Sequence, residues 1–384
     1  MIAPLQQTFS KRTVLSDELK RNTRRTNFSG LQVRVPLLLN LKQGTGGFAQ
    51  TAGPNVARQL NDSAAFIQMA RVGHAIELSL DLIKAVDRRD FVYAGDALKL
   101  HMDAAETAMS RVENEMFFGS GDGLIASVLT ATTNSTTVGV GASANFYQLY
   151  PGRILDVLTR STGASVVSGL SRQINSITTT SIVLDSAVTV TTNEGVYIEG
   201  TYGNAVQGIR QPFATSGTFQ GVNLATTPQF QGVDGRGGAT ATADLSMPIL
   251  DGATRRLMQA SGKAPDFWVG DPAAIDKYGQ SLVSQFRWAP KITRLATGWE
   301  GIDYRDAPLI ADFDAPSGEL YGINKSALTL YGYDQGPDWD DQTGSKFQRF
   351  SRNAPVEAWL IDFVQLGFHQ PNALVKVANL TQAS

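Results

Sequence analysis

Residues Asp90 to Phe118, DFVYAGDALKLHMDAAETAMSRVENEMFF, constrain the fold more than any other stretch. Ala94, Leu98, Ala105, Ala108, Met109, Val112 and Met116 recur at steps of three and four, the period of a helix. Lys99, Asp103, Glu106, Arg111 and Glu115 fall mostly between them. Lys99 with Asp103 and Arg111 with Glu115 are spaced to meet on the helix surface. No proline interrupts the run, and Ala, Leu, Met, Glu and Lys favour helix. At ~1.5 Å per residue such a helix spans roughly 43 Å. It stops at Gly119-Ser120-Gly121-Asp122-Gly123, where glycine accommodates a left-handed cap. A rod of this length needs an equally long surface to lie on.

The chain has 384 residues, too many for one compact core, so two or three domains are expected. A hydrophobic fraction of 42% with a net charge of −2 describes a folded chain and argues against a dedicated nucleic-acid binder, which carries a basic excess. Without cysteine there are no disulfides or thiolate metal sites. No apolar run resembles a signal peptide or reaches the ~18 residues of a membrane span. No membrane association is expected.

Residues 1–27 are polar and basic, with Lys11, Arg12, Lys20, Arg21, Arg24 and Arg25 outweighing Asp17 and Glu18. Nothing there is apolar and periodic enough to bury, so an extended arm with a short helix near Ser16–Arg21 is expected. Residues 28–41 read as a strand, 43–54 as a glycine-rich loop, and 64–70 and 73–80 as further strands. They suggest a two-stranded excursion, which must lean on its own chain or another copy because it has too little core. From 129 to about 210, short runs rich in Thr, Ser and Val alternate with turns, the pattern of a small β-barrel or sandwich. Asp244 to Pro248 carries helix-start chemistry for a helix ending at Gly262. Phe267–Val269 reads as a buried strand, and Gly270-Asp271-Pro272 starts a second helix. Strands follow near 308–311, 319–323 and 328–331, and again from 354 to 380. The order suits a mixed α/β region.

Residues for chemistry are sparse. Asp334, Asp338, Asp340 and Asp341 cluster, but Arg349 stands where a calcium loop needs its bidentate glutamate, so an exposed acidic loop is expected. The glycines of 119–123 follow a helix, whereas a phosphate loop precedes one. His74 and His101 are expected to be structural. No catalytic residue, metal site or cofactor is assigned. Nothing selects a carboxylate pair for glycoside hydrolysis.

In this order, the parts resemble a tailed-bacteriophage major capsid protein of the Hong Kong 97-type fold. The resemblance rests on Asp90–Phe118 with its exit at 113–123, on Ala307–Asp312 and Gly318–Asn324, and on Val356–Leu380 with Gln370-Pro371-Asn372-Ala373. It implies an α+β, Hong Kong 97-like capsid fold plus an inserted small β-barrel or sandwich. The parts would be an N-terminal arm (1–30), an E-loop (31–72), a P-domain portion (73–128) with the spine helix at 90–118, the inserted β domain (129–210), an A-domain (211–352) and closing P-domain strands (353–384).

The resemblance implies a non-enzymatic subunit that assembles as hexamers and pentamers into an icosahedral shell around the double-stranded DNA genome of a tailed phage. It would enclose that DNA without sequence-specific binding. Its partners would be other copies of itself, portal and scaffolding proteins, and a cement or decoration protein. It would reside in the virion capsid after assembly in the host bacterial cytoplasm. Candidate inter-subunit contacts are Arg24 and Arg25 in the arm, and Lys42 and Phe48 in the E-loop; Lys42 and Asn353 lie where some relatives form a covalent cross-link. Two other readings stand beside it: an encapsulin-like protein compartment, and, from a different class, a β-rich polysaccharide-binding protein or hydrolase.

Overall fold

The computed structural model describes residues 13–22, 32–40, 61–78, 92–141, 144–283, 292–294, 300–332, 337–341, 344–348 and 356–381. Its first elements are helix α1 (Val14–Asn22) and strands β1 (Gln32–Asn40), β2 (Asn61–Gln68) and β3 (Ala70–Leu78). β1 and β2 pair antiparallel, with Val33 opposite Ile67 and Val35 opposite Ala65. The base of this ribbon leans on its own chain. Val35, Leu37, Ala65 and Ile67 are buried in a core they share with the long helix, whereas Phe66 is 45% exposed.

That helix, α2 (Val92–Phe118), has 27 residues and lies along β3, beginning within two residues of the expected Asp90. Ala105 and Met109 are buried one turn apart, as the periodicity predicts, and from Glu113 to Phe118 every residue is buried. Within the expected stretch 119–123, the left-handed glycines are Gly121 (φ 86°) and Gly123 (φ 75°). The helix end is sealed from elsewhere. Ile209 donates its N–H to Phe117 O at 2.7 Å, satisfying an orphan carbonyl of the last turn. Gly208 fits beside it because a Cβ there would stand 2.5 Å from the carbonyl oxygens of Met116, Phe117 and Gly119.

Six strands follow: β4 (Leu124–Ser127), β5 (Thr132–Gly139), β6 (Ile154–Thr159), β7 (Arg172–Ile177), β8 (Ser181–Val190) and β9 (Glu194–Ile198). They form one antiparallel sheet in the order β4-β9-β6-β7-β8-β5, around a core of its own that includes Val138, Leu155, Val157, Ile182 and Val196. The sheet begins before residue 129, because Leu124 pairs with Tyr197 and Ser127 with Gly195. A tight hairpin, β10 (Thr218–Phe219) and β11 (Val222–Asn223), turns through Gln220 (φ 48°) and Gly221 (φ 80°), the positive-φ pair of a type I′ turn. Gln220 is held there by its buried carboxamide, which donates to Leu366 O at 2.7 Å and accepts from Phe368 N at 3.3 Å.

The remaining elements are β12 (Val233–Asp234), α3 (Met247–Ser261), β13 (Phe267–Gly270), α4 (Pro272–Val283), β14 (Ile292–Arg294), β15 (Glu300–Tyr304), β16 (Ala307–Ala311), β17 (Leu320–Ile323), β18 (Leu328–Gly332), β19 (Asp338–Trp339), β20 (Val356–Phe368) and β21 (Leu374–Val377). Helix α3 ends where its glycine predicts: Gly262 takes φ 71° and donates to Met258 O at 2.9 Å. Its start has the expected proline, but the Ser246 side chain makes no capping bond. Asp271 does cap α4, accepting from Ala273 N at 3.0 Å. Both helices pack on a seven-stranded mixed sheet, β12-β21-β17-β13-β16-β15-β14, whose core includes Trp268, Tyr278 and Tyr304.

Two expectations are corrected. Residues 353–384 do not close one domain as a block. β20 pairs with β3 and β18, but β21 crosses into the seven-stranded sheet, where Gly322 pairs with Val375. Its Leu374, Val375 and Val377 are buried and find an apolar layer there. The arm is also not free of buried apolar residues. Val14, Leu15 and Leu19 are 0%, 0% and 4% exposed, because α1 docks on α2 of its own chain. Only two of these three positions are a helical turn apart, too little to register as a periodic pattern.

A buried polar junction as the candidate functional site

Three consecutive polar residues near the end of α2 organise the site. Glu113, Asn114 and Glu115 are 0%, 0% and 5% exposed. Successive helical side chains diverge by about 100°, so the three reach three different partners.

Asn114 is central. Its Nδ2 donates to Asp314 Oδ2 at 2.8 Å and lies 3.2 Å from both carboxyl oxygens of Asp312. Its Oδ1 accepts the backbone N–H of Ser16 at 2.9 Å. Asp312 in turn accepts from Leu15 N at 3.2 Å and from Asp314 N at 3.0 Å. One carboxamide thus joins α1, α2 and the turn after β16.

Glu115 faces the six-stranded sheet. Arg153, just before β6, grips it through both carboxylate oxygens, at 3.1 and 2.6 Å. Arg111 stands 3.7 Å from the same carboxylate and lies over the rings of Tyr147 and Tyr150. The expected Arg111–Glu115 pair therefore exists, but it is built into the interior and not displayed on the helix surface. Asn145 and Gln148 complete the seam by donating to the carbonyls of Phe313, Ala315 and Asp314.

Glu113 faces α1 and β20. It pairs with Lys20 on one side and meets the Asp362 carboxyl on the other. Burial raises its pKa to about 7; Lys20 opposes this and Asp362 adds to it. Asp314 is pushed up to about 8 by burial and by the neighbouring Glu115 and Asp312 carboxylates. Asp312 is raised as well, chiefly by burial. Nearby, Glu18 of α1 is 1% exposed and pairs with Lys325. This arrangement locks four parts of the chain together. Among the described residues no three His, Asp or Glu side chains converge to hold a metal ion, and no helix is long and apolar enough to cross a membrane.

The expected contact residues Arg24, Arg25, Lys42 and Phe48 lie outside the described residues, as do Asn353 and Asp334. His101 is exposed on α2. His74 stands opposite Leu360 in the β3–β20 pairing, its pKa lowered by burial. The junction itself was missed in the sequence. A signal for it existed: Glu113-Asn114-Glu115 runs directly into Met116-Phe117-Phe118, a helix end apolar on every side.

No family model matches the chain, and no curated protein matches it. Solved structures do. The chain is similar to a subunit of the cyanophage A-1(L) capsid asymmetric unit, with a TM-score of 0.63 at 12% identity, over 100% of this chain and 96% of that one. It is also similar to the SrpI encapsulin of Synechococcus elongatus PCC 7942, with a TM-score of 0.50 at 12% identity, over 99% of this chain and 95% of that one. Both likenesses run end to end, and they establish the fold: an α+β chain of the Hong Kong 97-like capsid type.

Proposed function

We propose that this chain is the major capsid protein of a tailed phage, a structural subunit and not an enzyme. The observation that carries the reading is the end-to-end likeness to a phage capsid subunit, at a TM-score of 0.63. Copies assemble as hexamers and pentamers into an icosahedral shell, and the shell encloses double-stranded DNA without reading its sequence. A near-neutral chain suits a wall that surrounds DNA without gripping it. A separate scaffolding protein, a portal and a decoration protein are its expected partners, and the virion capsid its expected place after assembly in the host cytoplasm. The region around β4–β9, with its own core, acts as an inserted domain.

The contacts follow from the same reading. The arm, through Arg24 and Arg25, and the E-loop, through Lys42 and Phe48, reach neighbouring copies. Each contact is weak, and closed symmetry repeats it around the shell. The buried junction has a mechanical role here: it holds arm, spine helix, inserted sheet and A-domain in one geometry, so that every copy presents the same surfaces.

An encapsulin-type compartment is the second reading, favoured by the likeness to the SrpI encapsulin. Expression of the chain alone, and with the scaffolding gene beside it, followed by size-exclusion chromatography and negative-stain microscopy, tests the assembly. Closed shells, or rings of hexamer and pentamer size, are expected. A monomer that persists with scaffold present contradicts the proposal. A terminase or portal gene beside this one supports the phage reading, and a cargo enzyme gene supports the compartment.

A further inference from the structure

Helix α1 seals a pair of carboxyl groups. Glu113 of α2 and Asp362 of β20 are 0% and 1% exposed and face each other. Burial raises the Glu113 pKa to about 7 and the adjacent Asp362 carboxyl adds to the rise, so Glu113 keeps its proton towards neutral pH. Lys20 of α1 lies against Glu113 and covers it from the remaining side. The other charged groups nearby are committed elsewhere: Glu18 to Lys325, Glu115 to Arg153 and Arg111. On β3, His74 shares the sheet face of Asp362, and burial lowers its pKa, so it adds no positive charge at neutral pH.

We propose that α1 is a proton-controlled latch, which stays docked on α2 while the buried Glu113 beneath it holds its proton and lifts when that proton is lost. The reason is linkage. With α1 docked, Glu113 is shut from water and its ionisation puts a second negative charge beside Asp362. With α1 lifted, water reaches Glu113, which then ionises near its ordinary value of 4.5. The docked form therefore binds a proton that the lifted form releases, and rising pH favours lifting. Lys20 softens the effect by attracting the ionised Glu113, but burial is the larger influence on that group. The ordinary value of 4.5 and the docked value of about 7 bound the change: lifting becomes more frequent by up to roughly 300-fold across that interval. The Ser16 N–H on Asn114 does not titrate and holds α1 at every pH, while the Leu15 N–H on the Asp312 carboxyl and the Glu18–Lys325 pair are further holds on it.

The latch is a property of the single chain, so its failure leaves the shell reading untouched. The test exploits the absence of cysteine. Ser16 is on the docked face of α1 and 1% exposed, and a Ser16→Cys variant of the full chain reacts with a thiol reagent only when α1 lifts. Rates are normalised to the unfolded chain at each pH, which removes the thiol's own ionisation. Protection is expected to fall by roughly 40-fold between pH 5 and 7. Adding Glu113→Gln should flatten that fall to under about threefold, because the neutral amide has no proton to lose. Ala253→Cys, buried in α3, should stay protected throughout. An equal fall in the Glu113→Gln background, no fall at all, or parallel exposure of Ala253→Cys overturns the proposal. If Glu113→Gln does not fold, Asp362→Asn should shrink the fall, since it removes the carboxyl that adds to the rise at Glu113, and an undiminished fall overturns the proposal.

Discussion

Asn114 and Asp314 stand 200 positions apart in the chain, and their side chains meet at 2.8 Å. The same carboxamide receives the amide of Ser16. A single side chain on α2 therefore sets the register between α1 and the turn after β16. Asn114→Ala should destabilise the chain by about 2–4 kcal/mol, because it strands two buried carboxyls and a backbone N–H. Denaturant unfolding measures this; a loss below about 0.5 kcal/mol would remove the residue from the account.

The Glu115–Arg153 pair has both side chains almost fully buried, at 3% and 5% exposure. Removing Arg153 takes both short bonds from the buried Glu115 and leaves it only Arg111, at 3.7 Å. Arg153→Met alone should cost about 3–5 kcal/mol, whereas Arg153→Met with Glu115→Leu should recover most of that loss. A double-mutant cycle by chemical denaturation reads the difference.

Asp314 gives the chain a pH dependence whose sign is fixed. Its folded pKa, about 8, lies above its ordinary 3.8. Between those values the unfolded chain has lost a proton that the folded chain keeps, so stability falls as pH rises. Below the ordinary value the two states bind the proton alike, and above about 8 the full penalty, on the order of a few kcal/mol, is present. Asp314→Asn should raise the Tm at pH 8.5 and change it little at pH 4.5. An equal effect at both values contradicts this origin.

Gly208 makes a steric prediction. Three carbonyl oxygens would stand 2.5 Å from an added Cβ, all of them backbone atoms at the end of α2. Gly208→Ala should lower the Tm by several degrees, roughly 2 kcal/mol or more, as the connection is pushed off the helix. Gly252→Ala, with nothing within 4 Å of its added Cβ, is the matched control and should be neutral or stabilising.

Assembly should respond to residues that leave the single chain unaffected. Phe48→Ala is expected to weaken shells while the monomer's unfolding curve stays unchanged. Replacing Arg24 and Arg25 should reduce assembly most at low salt, since exposed charges are screened over ~10 Å at 0.1 M. Light scattering across a salt series checks both, and assembly indifferent to all three residues rejects these contacts.

The elements were legible where local chemistry decides them. Gly262 ends α3 and Asp271 caps α4 because those signals act within one turn. The apolar spacing of 94–116 marked α2 without help from the rest of the chain. The junction was not legible in the same way. Glu113 and Glu115 look like solvent-facing helix residues until Arg153, Asp362 and Lys20 are placed beside them, and no local pattern encodes those distances. The docked arm helix was lost for a related reason: Leu15 and Leu19 are few, and what they pack against lies some ninety residues or more onward. The fate of β21 depended on which sheet had a free edge beside β17, a property of the assembled fold alone.

Whether this chain builds a closed shell is decided by cryo-electron microscopy of the particles formed when it is expressed with the proposed scaffolding protein. The account predicts icosahedral shells made of fivefold and sixfold rings of this chain, with α2 docked along β3 in every copy. Particles without those rings, or a uniformly monomeric chain under the same conditions, would contradict it.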